Sequence, residues 1–159
     1  MSTLSTRAWI AIAGLLVLIA VNYSILAKEQ VIRSGDTLYL ELAPVDPRSL
    51  MQGDYMALRF QLANAIAASL LNAPADTFRF AIVLDEKRIG RAAEPGGKSD
   101  LSIRYRLRNG AVWIGTNAYF FEEGSAARFE TARYGEFRVD ADSGEAVLVG
   151  LRDPEMQAL

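Results

Sequence analysis

Gln52-Gly53-Asp54-Tyr55-Met56-Ala57-Leu58-Arg59-Phe60 reads as a tight corner that launches a β-strand. Gly53 can take the positive φ that ends a turn, and Asp54 can hydrogen-bond the backbone two residues on. The run that leads into it, Leu40 to Met51, reads as strand and then one helical turn. Asp46 is placed to cap that turn, and Pro47 to take its first position, where no N–H is needed. Tyr55 to Phe60 then runs out as strand. A second corner, Ser34-Gly35-Asp36, stands eighteen residues upstream and leads into Thr37 to Leu40. Two Gly-Asp corners, each launching a strand, predict two adjacent strands of one barrel-like sheet.

Working towards the N-terminus, no charge interrupts Ala8 to Ala27. About twenty apolar residues at about 1.5 Å each span a hydrocarbon core of about 30 Å. Trp9 and Tyr23 lie near its ends, where aromatic rings favour the interface. Arg7 precedes the run and Lys28 follows it, so charge alone orients it little. A cleaved signal peptide is the rival reading. It needs a shorter apolar core and small residues before the cut, and Ile25 is bulky where a small residue is wanted. Residues 8–27 are therefore expected to be a transmembrane anchor, with 1–7 cytoplasmic and 28–159 a separate domain. Small residues (Ala11, Ala13, Gly14, Ala20) and Asn22 along the helix are either ordinary for a span or a helix–helix contact.

Towards the C-terminus the pattern is mostly β. Leu62 to Pro74 is rich in alanine, with Leu62, Ile66 and Leu70 on one face, and predicts a helix that Pro74 stops. Phe78, Phe80, Ile82 and Leu84 alternate as in a half-buried strand. Ile103, Tyr105 and Leu107 alternate with Arg104, Arg106 and Arg108, and Asn109-Gly110 is a strong hairpin signal. A strand is then predicted over Val112 to Ala118. Ser125 to Arg133 reads as a short helix closed by Gly135. Phe137 and Val139 form a strand, and Val147, Val149 and Leu151 form the last one. Asp153-Pro154 should end the fold, leaving a frayed tail. The expected fold is mainly β with two short helices: an N-terminal transmembrane helix plus a barrel-like or sandwich β domain.

Composition removes much chemistry. The chain has no cysteine and no histidine. It therefore lacks a thiol nucleophile, the commonest general base and the commonest metal ligand, which counts against zinc, copper and iron sites. No metal or cofactor is expected. Of the 17 basic residues only Arg7 precedes Lys28, and all 19 acidic residues follow it, so the part from Lys28 onward has net charge −3. Nothing here is basic enough to point to nucleic acid.

Gly53-Asp54-Tyr55, then Leu58, then Phe60, resembles the signature of a bacterial family, the GDYXXLXY proteins, with Phe60 where the signature has tyrosine. Arg133-Tyr134-Gly135-Glu136-Phe137-Arg138-Val139 and Val147-Leu148-Val149-Gly150-Leu151-Arg152 are similar to that family as well. The resemblance implies a membrane-anchored domain encoded near polytopic membrane proteins, and no particular reaction. The apolar run and the short stretch before it point to a single-pass inner-membrane protein with its C-terminal domain in the periplasm, and the resemblance points to a polytopic inner-membrane protein as partner.

Three sets of residues stand out. The Gly53, Asp54, Tyr55, Leu58 and Phe60 signature reads first as structure. Asp54 and Tyr55 with Glu122, Arg128, Glu130, Arg133 and Tyr134 could form a polar patch. Such patches are more often structural ion pairs than active sites. Arg104, Arg106 and Arg108 project from one strand face. They are either a solvated surface or a contact for lipid headgroups or an acidic glycan. An anchor followed by Gly-Asp-launched strands is also similar to signal peptidases, which use a serine activated by a lysine. Ser34 and Ser49 with Lys87 are the nearest candidates, and no carboxylate pair stands out for glycoside chemistry. The expectation is a non-enzymatic accessory protein. A membrane-tethered hydrolase and an envelope glycan- or lipid-binding module are the alternatives.

Overall fold

The computed structural model describes residues 5–43, 51–52, 55–72, 78–94 and 96–159. The Asp46-Pro47 turn and the Gly53-Asp54 corner lie outside them. The first helix, α1 (Thr6–Ser34), contains the whole apolar run, and its apolar side chains are exposed from Trp9 to Leu26. It is long and apolar enough to cross a membrane. Asn22 donates its side-chain N–H to the Leu18 carbonyl at 2.9 Å, so that amide is satisfied within its own helix.

Composition predicts a change to strand at Lys28, but the helix persists to Ser34. Lys28, Glu29 and Gln30 are good helix formers, and Glu29 pairs with Arg33 one turn on at 3.2 Å. The deciding contact is Val31, which is 7% exposed because the β domain covers it. Gly35 ends the helix with its N–H on the Val31 carbonyl at 2.9 Å. Its φ is −67°, so Gly35 is not the positive-φ corner that the Gly-Asp pattern suggests. Glycine is needed for closeness instead. A Cβ there would run into the Val31 oxygen and stand 3.0 Å from the Val139 oxygen.

The strands are β1 (Asp36–Glu41), β2 (Met51–Gln52), β3 (Tyr55–Ala57), β4 (Arg79–Leu84), β5 (Gly90–Ala92), β6 (Leu101–Arg108), β7 (Ala111–Ile114), β8 (Ala118–Phe120), β9 (Tyr134–Val139) and β10 (Ala146–Arg152). Two further helices are α2 (Gln61–Asn72) and α3 (Ala126–Phe129). The sheets run in the orders β1-β9-β10, β2-β3-β8 and β5-β4-β6-β7, all antiparallel. Bridges stitch them into a curled half-barrel. Tyr39 meets Ile89, Leu42 meets Phe60, and the Arg104 N–H donates to the Gly144 carbonyl at 2.6 Å.

β1 and β3, expected side by side, share no ladder among the described residues. β1 pairs along its whole length with β9, from Asp36 opposite Val139 to Glu41 opposite Tyr134. β3 pairs with β2 and β8. Among the described residues they are linked where Leu42 meets Phe60 and the Ala43 N–H reaches the Arg59 carbonyl.

Alternation makes the core. Leu38 and Leu40 of β1, Ile103 of β6, and Phe137 and Val139 of β9 have no exposed surface. On α2, Leu62 and Ile66 are buried and Leu70 packs partly against the same cluster, as the spacing predicts. Each such side chain contributes about 2 kcal/mol by leaving water. Phe60 sets its ring edge-on to Phe137 at 5.2 Å. Leu58 and Phe60 are thus core residues, 4% and 3% exposed.

Several boundaries differ from the sequence pattern. β7 stops at Ile114 because the chain turns at Gly115, and the following segment joins β3 instead of extending the hairpin. The short helix closes at Phe129, and Gly135 belongs to β9. The register of β10 against β9 shifts between Leu148 and Gly150, so Val149 turns outward at 38% exposed while Leu151 is buried. The tail is not frayed. The Leu159 N–H reaches the Leu151 carbonyl at 3.1 Å, and Ala158 bridges Arg152.

Gly35→Ala should cost about 1–3 kcal/mol, as overpacking against fixed backbone does. Gly14→Ala, inside α1 where an added Cβ meets nothing within 4 Å, should cost nothing and gain up to about 1 kcal/mol of helix stability. Thermal unfolding of both variants in mild detergent, followed by circular dichroism, checks the difference. Equal melting would remove the close helix-to-sheet approach as a constraint.

Candidate functional site

As α1 leaves its apolar run it meets the β9–β10 hairpin, with β6 alongside. These elements frame an open cleft of about 730 Å³. Lys28 comes from α1, Arg104, Arg106 and Leu107 from β6, and Glu145 from the hairpin, with Phe78 at one side. The Lys28 ammonium is ion-paired with the Glu145 carboxylate. Both side chains are partly solvated, so the pair positions more than it stabilises. Arg106 donates through Nη2 to the Gly115 carbonyl at 3.0 Å. The Arg104 guanidinium has no ion-pair or hydrogen-bond partner among the described residues.

The hairpin turn that presents Glu145 is tightly built. Asp140 accepts from the Ser143 N–H at 2.7 Å and from the Ser143 hydroxyl at 2.6 Å. The Ser143 hydroxyl, and then the Ser143 N–H, hold the Asp140 carboxyl below its ordinary 3.8. Gly144 follows with φ +69°, and a Cβ there would stand 3.0 Å from the Ser102 oxygen. This turn can therefore lie close against β6 only with glycine at that point.

The arginine row does not act as one unit. All three side chains leave the exposed face of β6. Arg104 and Arg106 enter the cleft, whereas Arg108 lies over the Trp113 ring at 5.3 Å. The other expected patch is divided as well. Arg133 pairs with Glu41 at 2.7 Å, Arg128 lies over the Phe129 ring at 5.7 Å, and Tyr55 sets its ring 5.7 Å from Phe120. The Glu122 carbonyl accepts from the Ser125 hydroxyl at 2.5 Å. Tyr134 is the β9 residue opposite Glu41 and Arg152.

Two residues that sequence reasoning passed over form the most buried ion pair among the described residues. Glu136 on β9 accepts from Arg152 on β10, with Nε at 2.8 Å and Nη2 at 2.6 Å from the same carboxylate oxygen. Their side chains are 11% and 25% exposed. Arg152 also donates to the Met156 carbonyl at 3.3 Å, which ties the tail to the pair. Both residues lie in segments singled out by resemblance. The signal that could have paired them is a charge of each sign on two strands joined by the Asp142-Ser143-Gly144 turn. Lys28 and Glu145 were missed because 117 residues separate them.

The GDYXXLXY protein family matches residues 17–151. The matched span begins inside α1 and ends in β10, so it includes the junction at Gly35 and both sides of the cleft. No curated protein and no solved structure matches the chain.

Two measurements follow from these ion pairs and turns. Arg152→Met should cost about 1–3 kcal/mol, because it strands a poorly solvated Glu136, whereas Arg133→Ala should cost less than about 1 kcal/mol. Denaturant unfolding separates the two, and equal costs would contradict the burial argument. Asp140 has a folded pKa below its unfolded one. Its contribution is present above the ordinary carboxylate range and is lost as pH falls through the folded value. Asp140→Asn should therefore flatten the loss of stability between about pH 5 and about pH 2. An unchanged acid limb in melting curves would refute this.

Proposed function

We propose that this chain, which belongs to the GDYXXLXY family, is a single-span, non-enzymatic accessory protein that associates with a polytopic inner-membrane protein through both its helix and its β domain. The observation that carries this reading is the unbroken α1, running from the apolar segment into the domain. A flexible tether would let the domain swing freely. A helix sealed against β9 at Gly35 carries the domain as one piece with its span. Such a rigid body presents a fixed surface to a neighbour in the same membrane, and rigidity lowers the entropic cost of association. The domain is proposed to face the periplasm.

The absence of an enzyme role is part of the proposal. Of the serines considered, Ser34 spends its hydroxyl on the Gln30 carbonyl at 2.8 Å, and Ser49 lies outside the described residues. Lys87 sits in the exposed turn between β4 and β5, whose backbone is bound by Asp85.

Two experiments test the reading. Alkaline phosphatase fused after Leu159 should be active, and an inactive fusion beside an active cytoplasmic reporter would reverse the topology. Replacing residues 8–27 with an unrelated poly-leucine span should weaken co-purification of the membrane partner while leaving the domain folded. If the domain cut free at Gly35 and exported alone recovers the same partner equally well, the helix is targeting only.

A further inference from the structure

Three cations and one carboxylate line the cleft, a local charge of +2 within a domain whose total is −3. The cleft is therefore locally positive on a domain of opposite net sign, and α1 as a membrane span sets its depth. Lys28 is the first residue after the apolar run and stands about 1.5 Å further along the helix axis than Ala27. The headgroup layer outside the hydrocarbon is about 5–7 Å thick on each side. A cleft that shares Lys28 lies within that layer. The abundant anion at that depth is the phosphodiester of a phospholipid. Guanidinium groups offer the forked donors that phosphate oxygens match, and the Arg104 guanidinium has none of its donors engaged among the described residues.

The rim supports the same ligand. Phe78 is 60% exposed and Leu107 is 52% exposed, and both line the cleft. Apolar side chains beside a cationic pocket at the bilayer surface can cover the start of an acyl chain while the cations hold its phosphate. Glu145 neutralises Lys28 and offers a carboxylate to a hydroxyl-bearing headgroup. A choline headgroup would instead set a fixed cation against the cleft.

We propose that the cleft between α1, β6 and the β9–β10 hairpin binds the phosphodiester of an anionic phospholipid, held by Arg104 and Arg106 with Lys28 and Glu145 at its inner side. This rests on α1 being a membrane span. That reading is checked first, by whether the full chain leaves the membrane fraction only in detergent.

The full chain in mild detergent is then titrated with phosphatidylglycerol or phosphatidylcholine, and bound lipid is counted by native mass spectrometry. Phosphatidylglycerol should bind at least about fivefold more tightly. Loss of one cation near an anionic headgroup weakens binding about fivefold, so Arg104→Ala with Arg106→Ala should weaken it about thirtyfold. Arg91→Ala, on exposed β5, should change nothing. Arg104→Gln alone, at an exposed side chain, should keep wild-type melting and still lose about fivefold, which separates binding from folding. Equal binding of the two lipids, or retention of phosphatidylglycerol by the double variant, overturns the proposal. So does displacement of the lipid by inorganic phosphate or by an acidic oligosaccharide at equal concentration, either of which would reassign the cleft to a soluble anion or a glycan.

Discussion

The close approach of α1 to the end of β9 is the constraint on which the rest depends. Val31 is buried only because Gly35 lets the chain turn from helix to strand directly beside Val139. From that point Asp36 starts a strand already in register with Val139, and the six-residue pairing of β1 with β9 follows. The same approach brings Lys28, about two turns before Gly35, against Glu145 just ahead of β10. A single backbone contact thus sets the path of the first strand, the attitude of the helix and the back of the cleft.

The half-barrel is held by two kinds of interaction with different reach. The period-two alternation of β1, β6 and β9 buries one face of each, with α2 placing Leu62 and Ile66 over the same cluster. That packing supplies most of the stability and is indifferent to which sheet a strand belongs to. Specific polar links then fix the curl. Arg88 reaches across to the Thr37 carbonyl at 2.7 Å and to Asp36 at 3.2 Å, and the Gly144 carbonyl takes the Arg104 N–H. The cleft lies at the second of these links, so the contact that closes the sheet also positions the cations.

The β9–β10 hairpin shows how one irregular residue redistributes function. Without the register shift at Val149, Leu151 would lie on the outer face with Arg152 turned to the core. The shift puts Leu151 inside and leaves Arg152 on the outer face beside Glu136. The tail folds back over that pair. One end of the hairpin is thereby a sealed structural ion pair, and the other is an open, solvated one at Lys28 and Glu145. Their exposures decide the difference, since an ion pair in water is worth little and leaves its partners free to exchange.

The apolar run from Ala8 to Ala27, the helix around Ile66, the strands of β4 and β6 and the Asn109-Gly110 hairpin were all legible in the sequence. Each rests on local periodicity or on a turn whose backbone angles few residues allow; Asn109 and Gly110 do take φ +51° and +75°. Tertiary structure decided the end of α1: the helix formers Lys28 to Gln30 permit the extension, and the cover over Val31 fixes it. It also decided that β1 and β3 have separate partners, since pairing is chosen between strands distant in the chain and similar corners carry no information about it. The candidate site lay in the same blind spot. Arg104, Arg106 and Arg108 share a strand face by period, but only the fold sends two of them to meet Lys28 and Glu145 and the third to Trp113. Charges far apart in sequence acquire a shared site when loop closure and packing bring their backbones together, and no local pattern records that.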